Sequence, residues 1–380
     1  MDLGLTETQE MLRTTARDFF ERECPTALVR LMEEHDLGYP PELWQRMGEL
    51  GWMGLAFPDA YEGANGSLTD LAVLLEEMGR ALVPSPFFPG VVLVGLTMLD
   101  AGTAAQQAEF LPGLASGTLI ATMTLTEQTA RYSAHDIQMP AFAENDAYTL
   151  RGTKMFVEYA HVADYLLVPV RTDSSGAAED GITLLLVPKS SPGIILTPLI
   201  SIARDRQFEV VFDGVEVPKS AVVGHPGLGW NILKKTLDRA TVLHCAESVG
   251  GAQRVMEMTV AYAKQRVQFG RPIGSFQAVQ HTCADMVNAI DSARLATYQA
   301  ITRLEDGIPA EREIALAKVL TNHAYKWTTL QAQQIHGGIG FMEEYDLQLW
   351  TRRAKVAELK YGTSSLHRET FAASMGLAGV

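Results

Sequence analysis

Two glycine-rich stretches stand out as places where a backbone could close on a phosphate, Gly224 to Gly229 (GHPGLG) and His336 to Phe341 (HGGIGF). Neither is a dinucleotide fingerprint. That motif needs a strand before its glycines, a helix after them and an acid about twenty residues on, and no βαβ alternation surrounds either stretch. Taken singly, the glycines read equally well as helix stops. The nine histidines are scattered, with no two at the i, i+3 or i, i+4 spacing that aligns metal ligands on a helix face, so no metal site is expected. Cys24, Cys245 and Cys283 lie far apart without a CxxC, which argues against a disulfide framework or a zinc-thiolate site and suits a reducing cytoplasm. There is no GxSxG elbow, which leaves hydrolase chemistry as a minor alternative.

A longer segment is more specific. YAKQRVQFGRPIGSFQAVQH, from Tyr262 to His281, resembles the signature of the acyl-CoA dehydrogenase family. QIHGGIGF, Gln334 to Phe341, falls at that family's spacing, and MTLTE, Met123 to Glu127, resembles the strand beside its flavin. The resemblance implies FAD. Arg266 offers a guanidinium fork suited to a pyrophosphate, and Gln268 and Gln277 offer amide hydrogen bonds; Phe269 and Phe276 belong to the same candidate set. Gly337 and Gly338 let backbone approach a nucleotide closely, with Gln334, Ile335 and His336 just before them. In the family these groups reach the FAD of a neighbouring subunit, which implies a homo-oligomer or an α2β2 hetero-tetramer. Leu125 and Thr126 match the contacts to the flavin ring. Phe156 matches the aromatic residue on the isoalloxazine face, while Glu158 stands where a small hydroxyl residue is usual. The resemblance adds Thr363 and Ser365 to the FAD set.

The implied reaction is α,β-dehydrogenation of an acyl-CoA thioester, in which a base removes the α proton and the flavin accepts a hydride from the β carbon. An electron-transfer flavoprotein or similar acceptor would reoxidise the flavin. The base is where this chain departs from the family. Tyr361, before Gly362-Thr363, stands where Glu is expected, and a phenol with a pKa of about 10 is a poor base at neutral pH. The second family position for the Glu corresponds to Ala240, and Thr241 stands where Arg commonly follows. Asp238 matches an acid that contacts CoA; Arg239, Thr241 and Gly362 complete the substrate set. Glu247 remains as an alternative base. It lies two helical turns beyond Ala240 on about the same face, roughly 10 Å along the helix; pairing with an Arg or burial at a subunit interface is the competing explanation. The run Gln128-Thr129-Ala130-Arg131-Tyr132-Ser133 replaces the family's Pro-Gly-Ala-Gly-Ser-Asp. Base-poor relatives work as one of two subunits on steroid side chains or dicarboxylic acyl groups. Three readings therefore stand: dehydrogenation of a bulky or functionalised acyl-CoA in a mixed assembly whose partner provides the Glu, an FAD- or CoA-binding subunit without turnover, or full activity with Tyr361 or Glu247 as an unconventional base.

The elements that must position these residues follow from periodicity. From Leu3 to about Leu114 apolar residues recur at helical spacing, with Thr6/Gln9 and Thr103/Gln106 as capping boxes. Short β-prone runs then begin near Leu119, including Tyr165 to Val170, Ile182 to Val187, Ile194 to Leu199 and Phe208 to Phe212. From Trp230 helical spacing returns, with Gly307-Ile308-Pro309 as a stop between two helices. The expected fold is α+β: an N-terminal helical domain (1–118), a middle antiparallel β domain (119–228) and a C-terminal four-helix bundle (229–380). At 380 residues with a formal net charge of −14, the chain suits a small organic ligand better than nucleic acid or anionic lipid. Its most apolar stretch, Phe87 to Leu99, is too short to span a bilayer.

Overall fold

The computed structural model describes residues 4–377, so Leu3 and the outermost ends of the expected domains lie outside the described residues. The first helices are α1 (Glu7–Glu23), α2 (Thr26–Glu34), α3 (Pro41–Glu49), α4 (Leu68–Ala81), α5 (Leu96–Ala101) and α6 (Ala104–Ser116). Capping boxes open α1 at Thr6 and α6 at Thr103, as the sequence predicts, and a third opens α4 through Ser67 and Asp70. Each hydroxyl accepts from the N3 amide while the N3 side chain accepts from the cap amide, satisfying two donors that a helix start leaves unpaired. The apolar stretch before α5 winds as a π-helix, Phe88–Gly95, and is buried almost throughout.

Eight strands follow: β1 (Ala121–Met123), β2 (Ala141–Glu144), β3 (Ala147–Glu158), β4 (Tyr165–Arg171), β5 (Ile182–Pro188), β6 (Ile194–Leu199), β7 (Gln207–Pro218) and β8 (Val222–Val223). They make two four-stranded sheets, ordered β1-β4-β5-β8 and β2-β3-β7-β6. Pairing is antiparallel as expected, except that β1 runs parallel to β4, Ala121 opposite Tyr165. The chain leaves β1 through β2 and β3 before it returns as β4, and such a crossover permits parallel pairing.

The last third holds α7 (Gly229–Gln265), a short hairpin of β9 (Val267–Gln268) and β10 (Arg271–Pro272), α8 (Gln277–Glu305), α9 (Glu311–His336), α10 (Leu347–Ala357) and α11 (Ser364–Ser374). Among the described residues five helices make up this C-terminal helical region. Helix α10 ends at Ala357, and Tyr361 and Gly362, in the turn before α11, both take positive φ. By packing, the described residues form two compact units: 4–30, 67–83 and 241–377 in one, 31–66 and 84–240 in the other. No helix among the described residues is long and apolar enough to cross a membrane.

In the first unit, α4 and α7 cross at backbone distance. A Cβ on Gly79 would overlap the carbonyl oxygen of Glu247, and one on Gly250 would overlap that of Glu76. Both contacts meet backbone rather than a flexible side chain, so relief requires moving a helix. Gly79→Ala and Gly250→Ala should each destabilise the protein by about 1–3 kcal/mol or more, read as a lower denaturation midpoint; Gly338→Ala, which meets nothing within 4 Å, should leave it unchanged.

Candidate active site

The candidate flavin residues of the second unit are joined by one bridge. Beyond β1, Met155 donates its amide to the Thr126 carbonyl at 2.8 Å, and the Thr126 hydroxyl donates to the Met155 carbonyl at 2.5 Å. Next to this bridge β3 bulges: its register against β7 shifts between Lys154 and Val157. A bulge re-aims the side chains beside it, and Phe156 takes a φ of +56° with 47% of its surface exposed. Leu125 is buried, and the Glu158 carbonyl accepts the Thr122 hydroxyl at 2.7 Å.

Glu127 holds this corner together. Its carboxylate accepts from the amides of Gln138 and Met139 at about 3.0 Å and from Lys154 Nζ at 2.8 Å. Lys154 is fully buried; burial draws its pKa below the usual lysine value, against the pull of Glu127. The run after Glu127 is fastened again by Arg171, which donates to the carbonyls of Ala134, Ile137, Ala178 and Asp180 at 2.7–3.0 Å. Arg131 is left at the surface.

The pyrophosphate candidates belong to the first unit. Phe269 and Gly270 turn the β9–β10 hairpin with φ of +52° and +77°, leaving Phe269 91% exposed. Phe276 packs edge-on to Phe269 and carries the Arg271 guanidinium 4.1 Å over its ring. Arg266, Gln268 and Gln277 are exposed, as are Gln334, Gly337 and Gly338; Ile335 is half-buried. Gly337 ends α9 at φ +65°, ψ −143°, a conformation open in practice to glycine alone. His336 points inward instead: its ring stacks 4.3 Å from that of Tyr262, and Nδ1 meets the Ala332 carbonyl at 2.7 Å. The imidazole thus joins the ends of α7 and α9. Thr363 caps α11 by accepting from the Leu366 amide, with Ser365 exposed beside it.

The base candidates are assembled around a residue that the motif reading passes over. Glu247 Oε2 lies 3.1 Å from Nδ1 of His244, one turn earlier on α7. The His244 ring meets Tyr361 edge-on at 5.5 Å. A His-x-x-Glu spacing on a predicted helix is the signal that could have found it, since i and i+3 share a face. Tyr361 is buried at φ +56°, its carbonyl 2.9 Å from Nε2 of His367, and Gly362 (φ +103°) has no room for a Cβ against that ring. Asp238 pairs with Lys234 at 3.1 Å, and Arg239 and Lys235 both pair with Asp100. Thr241 and Ala240 are buried.

Burial holds the His244 pKa down to about 4, with the charge of Lys318 acting the same way and the Glu247 hydrogen bond opposing it. For Glu247, burial pushes upward, but the His244 hydrogen bond and the charges of Lys360 and Arg353 bring it below the usual carboxylate value. At neutral pH the pair is therefore a carboxylate and a neutral imidazole. A carboxylate only accepts, so Nδ1 carries the proton and donates it. Among the described residues no group of three or more His, Cys, Asp or Glu could hold a metal.

Family models for the acyl-CoA dehydrogenase N-terminal, middle and C-terminal domains match residues 6–118, 122–215 and 227–376. The chain belongs to the acyl-CoA dehydrogenase family. It is 33% identical over 373 residues to a probable acyl-CoA dehydrogenase, YngJ, of Bacillus subtilis, covering 97% of this chain and 98% of that one. The structure of butyryl-CoA dehydrogenase from Megasphaera elsdenii superposes with a TM-score of 0.90 at 30% identity, over 99% of this chain and 100% of the other. The ChsE4–ChsE5 complex of Mycobacterium tuberculosis gives a TM-score of 0.90 at 25% identity, with full coverage of both chains. The family is one of FAD-dependent oxidoreductases, and the helix, sheet, helix order expected from sequence is its fold.

The His244–Glu247 pair fixes a pH dependence. A histidine whose folded pKa lies below its unfolded value of about 6.5 withholds a proton that the unfolded chain binds, so stability falls as pH drops from 6.5 towards 4 and then levels. Glu247, also depressed, adds loss in the same acid direction. Comparing urea unfolding at pH 7 and pH 4.5, His244→Asn should lose less stability than the parent, by an amount on the order of 2 kcal/mol.

Proposed function

We propose that the chain carries out α,β-dehydrogenation of a bulky or functionalised acyl-CoA with Glu247 as its base, working in the cytoplasm as one subunit type of a mixed assembly. The observation that carries the reading is the Glu247 carboxylate held by His244, whose ring in turn meets Tyr361, the residue standing where the resemblance expects the family's Glu. Arg266, Gln268, Gln277 and the Gly337-Gly338 backbone would hold the FAD pyrophosphate; their exposed donors and the open space above the glycines suit an anionic nucleotide. Leu125, Thr126 and Phe156 would wall the flavin ring. Bound FAD supplies the hydride acceptor.

The chain's own part is proton transfer. The Glu247 carboxylate takes the acyl α proton and becomes a carboxylic acid, which returns the proton to solvent when the product leaves. A carboxylate kept ionised at neutral pH can act in that direction, and positioned bases of this kind contribute about 10²–10⁴-fold. The polar groups near Glu247, among them His244 and Lys318, support an acyl group that carries oxygen functions over a plain alkyl chain. An electron-transfer flavoprotein or similar acceptor would take the electrons. The ChsE4–ChsE5 structure is a complex of two named chains, which supports a mixed assembly, and the three free thiols suit a reducing compartment.

Purified alone and with the products of neighbouring genes, the protein should be yellow and should bleach anaerobically with its acyl-CoA. Glu247→Gln should slow bleaching by about 10²–10⁴-fold, while Tyr361→Phe stays within about tenfold of the parent. Full bleaching by Glu247→Gln would reject Glu247 as the base. A yellow protein that no acyl-CoA reduces in either preparation would instead favour an FAD-binding subunit without turnover, and rapid bleaching of the homomer would remove the need for a partner.

A further inference from the structure

The geometry points to His244 as the positioning residue for α-proton abstraction: its Nδ1–H fixes Oε2 of Glu247 and leaves Oε1 as the oxygen presented to the acyl α carbon. This rests on the reading of Glu247 as the base. The His244 side chain is 7% exposed, whereas 31% of the Glu247 side chain remains open. Among the described residues Oε1 receives no hydrogen bond, so one oxygen is held and the other is available. A simple surface ion pair would look different. At helical i, i+3 spacing on an exposed face both partners would be solvated and worth a few tenths of a kcal/mol, whereas here a neutral imidazole has been taken out of water to reach a carboxylate.

The surroundings limit what the pair can do. The Glu247 backbone is pressed against Gly79 of α4, which fixes where its side chain starts. Tyr361 lies edge-on to the His244 ring, so the imidazole is contacted by a phenol as well as bonded to a carboxylate. The charged and titratable groups that face Glu247 are His244 on its own helix, Lys318 and Tyr325 on α9, Arg353 on α10, and Lys360 before α11. Lys318 is engaged by the Ala357 carbonyl at 2.9 Å, and burial brings its pKa down to about 8. None of these replaces a directed N–H at Oε2. With the hydrogen bond removed, the carboxylate becomes easier to protonate and free to rotate about its last torsion, so both its ionisation and its aim change.

The step assigned to the pair is a proton transfer: the α C–H bond breaks, an O–H bond forms at Oε1, and the Nδ1–H···Oε2 bond persists throughout. It can be read apart from turnover as exchange of acyl α protons with D2O on the holoenzyme, with its partner chain where one co-purifies. His244→Leu should raise the acid limb of the pH profile, for exchange and for bleaching alike, by about one pH unit. On the plateau it should lower kcat about tenfold or more through lost orientation, with KM within about threefold. His244→Asn, whose amide can donate from near the Nδ1 position, should recover most of both. In the parent, 15N-histidine spectra at neutral pH should show His244 as the Nδ1-protonated tautomer; this last measurement needs no variant that folds.

The outcomes separate two failures. If Glu247→Gln exchanges and bleaches normally, the base assignment falls and His244 falls with it. If Glu247→Gln is inactive while His244→Leu keeps its acid limb and kcat, only the positioning role is overturned. An Nε2-protonated His244 in the parent overturns it as well.

Discussion

The first unit is organised by the contact of two backbones. Gly79 on α4 and Gly250 on α7 each lie against the other helix's carbonyl, at Glu247 and Glu76. Removing side chains at the crossing brings the helices closer than ridge-into-groove packing allows, since interaxial distances depend on the residues at the contact. Ion pairs lace the crossing on either side. Arg80 reaches Glu257, Arg294 reaches Glu76, and Arg17 grips Glu77 through two hydrogen bonds. Glu77 is nearly inaccessible, so its carboxylate could not remain there without the Arg17 fork. Glu247 therefore projects from a point on α7 fixed in backbone as well as in side chain.

Buried charge recurs wherever a segment without regular structure has to hold still. In the second unit Lys154 and Glu127 tie the residue after Thr126 to the strand that carries Phe156, and the same carboxylate binds the amides of Gln138 and Met139. Arg171 gathers four carbonyls from two loops. In the first unit Lys318 secures the Ala357 carbonyl at the end of α10 and Asn322 reaches the Glu358 carbonyl, so the turn carrying Tyr361 is anchored by α9. Each group is costly to desolvate alone and is tolerated because it satisfies backbone atoms that would otherwise be buried unpaired. The apolar core sets where elements pack; these polar clamps set where the candidate site residues point.

How much of this could be read in advance depends on the range of the interaction. Thr6 with Gln9, Thr103 with Gln106 and the stop at Gly307-Ile308-Pro309 are local, and helix ends follow from neighbours in sequence. The strand from Ile194 to Leu199 is bounded by the residues that predict it. The flavin and pyrophosphate candidates were legible because they sit in contiguous motifs. Phe156 is different: its exposure depends on a bulge defined against β7, fifty residues on. The inward turn of His336 depends on Tyr262 and Tyr345, which no pattern around Gln334 to Phe341 reveals. His244 gives no metal-pair signal, because its i, i+3 partner is a glutamate and not another histidine. The packing into two units, with α2 and α7 each divided between them, has no sequence signal at all.

A base at Glu247 would be mounted differently from one at the Tyr361 position, and the difference bears on what the acyl group can be. Residue 361 stands on a turn at positive φ between α10 and α11, where a side chain owes its aim to the anchors beneath it. Residue 247 stands inside a 37-residue helix, on the face that carries His244, with Gly79 at its back. A helix-borne carboxylate has fewer ways to move, and precise orientation is worth several orders of magnitude in an intramolecular proton transfer. Such a mounting also leaves a bulky phenol, rather than a carboxylate, at the Tyr361 position. Substrate and base would then have to meet along α7, and an acyl group with a ring or a polar substituent has more to hold it in that register than a flexible alkyl chain. Rigid mounting of a base at Glu247 and a functionalised acyl group would thus belong to the same solution.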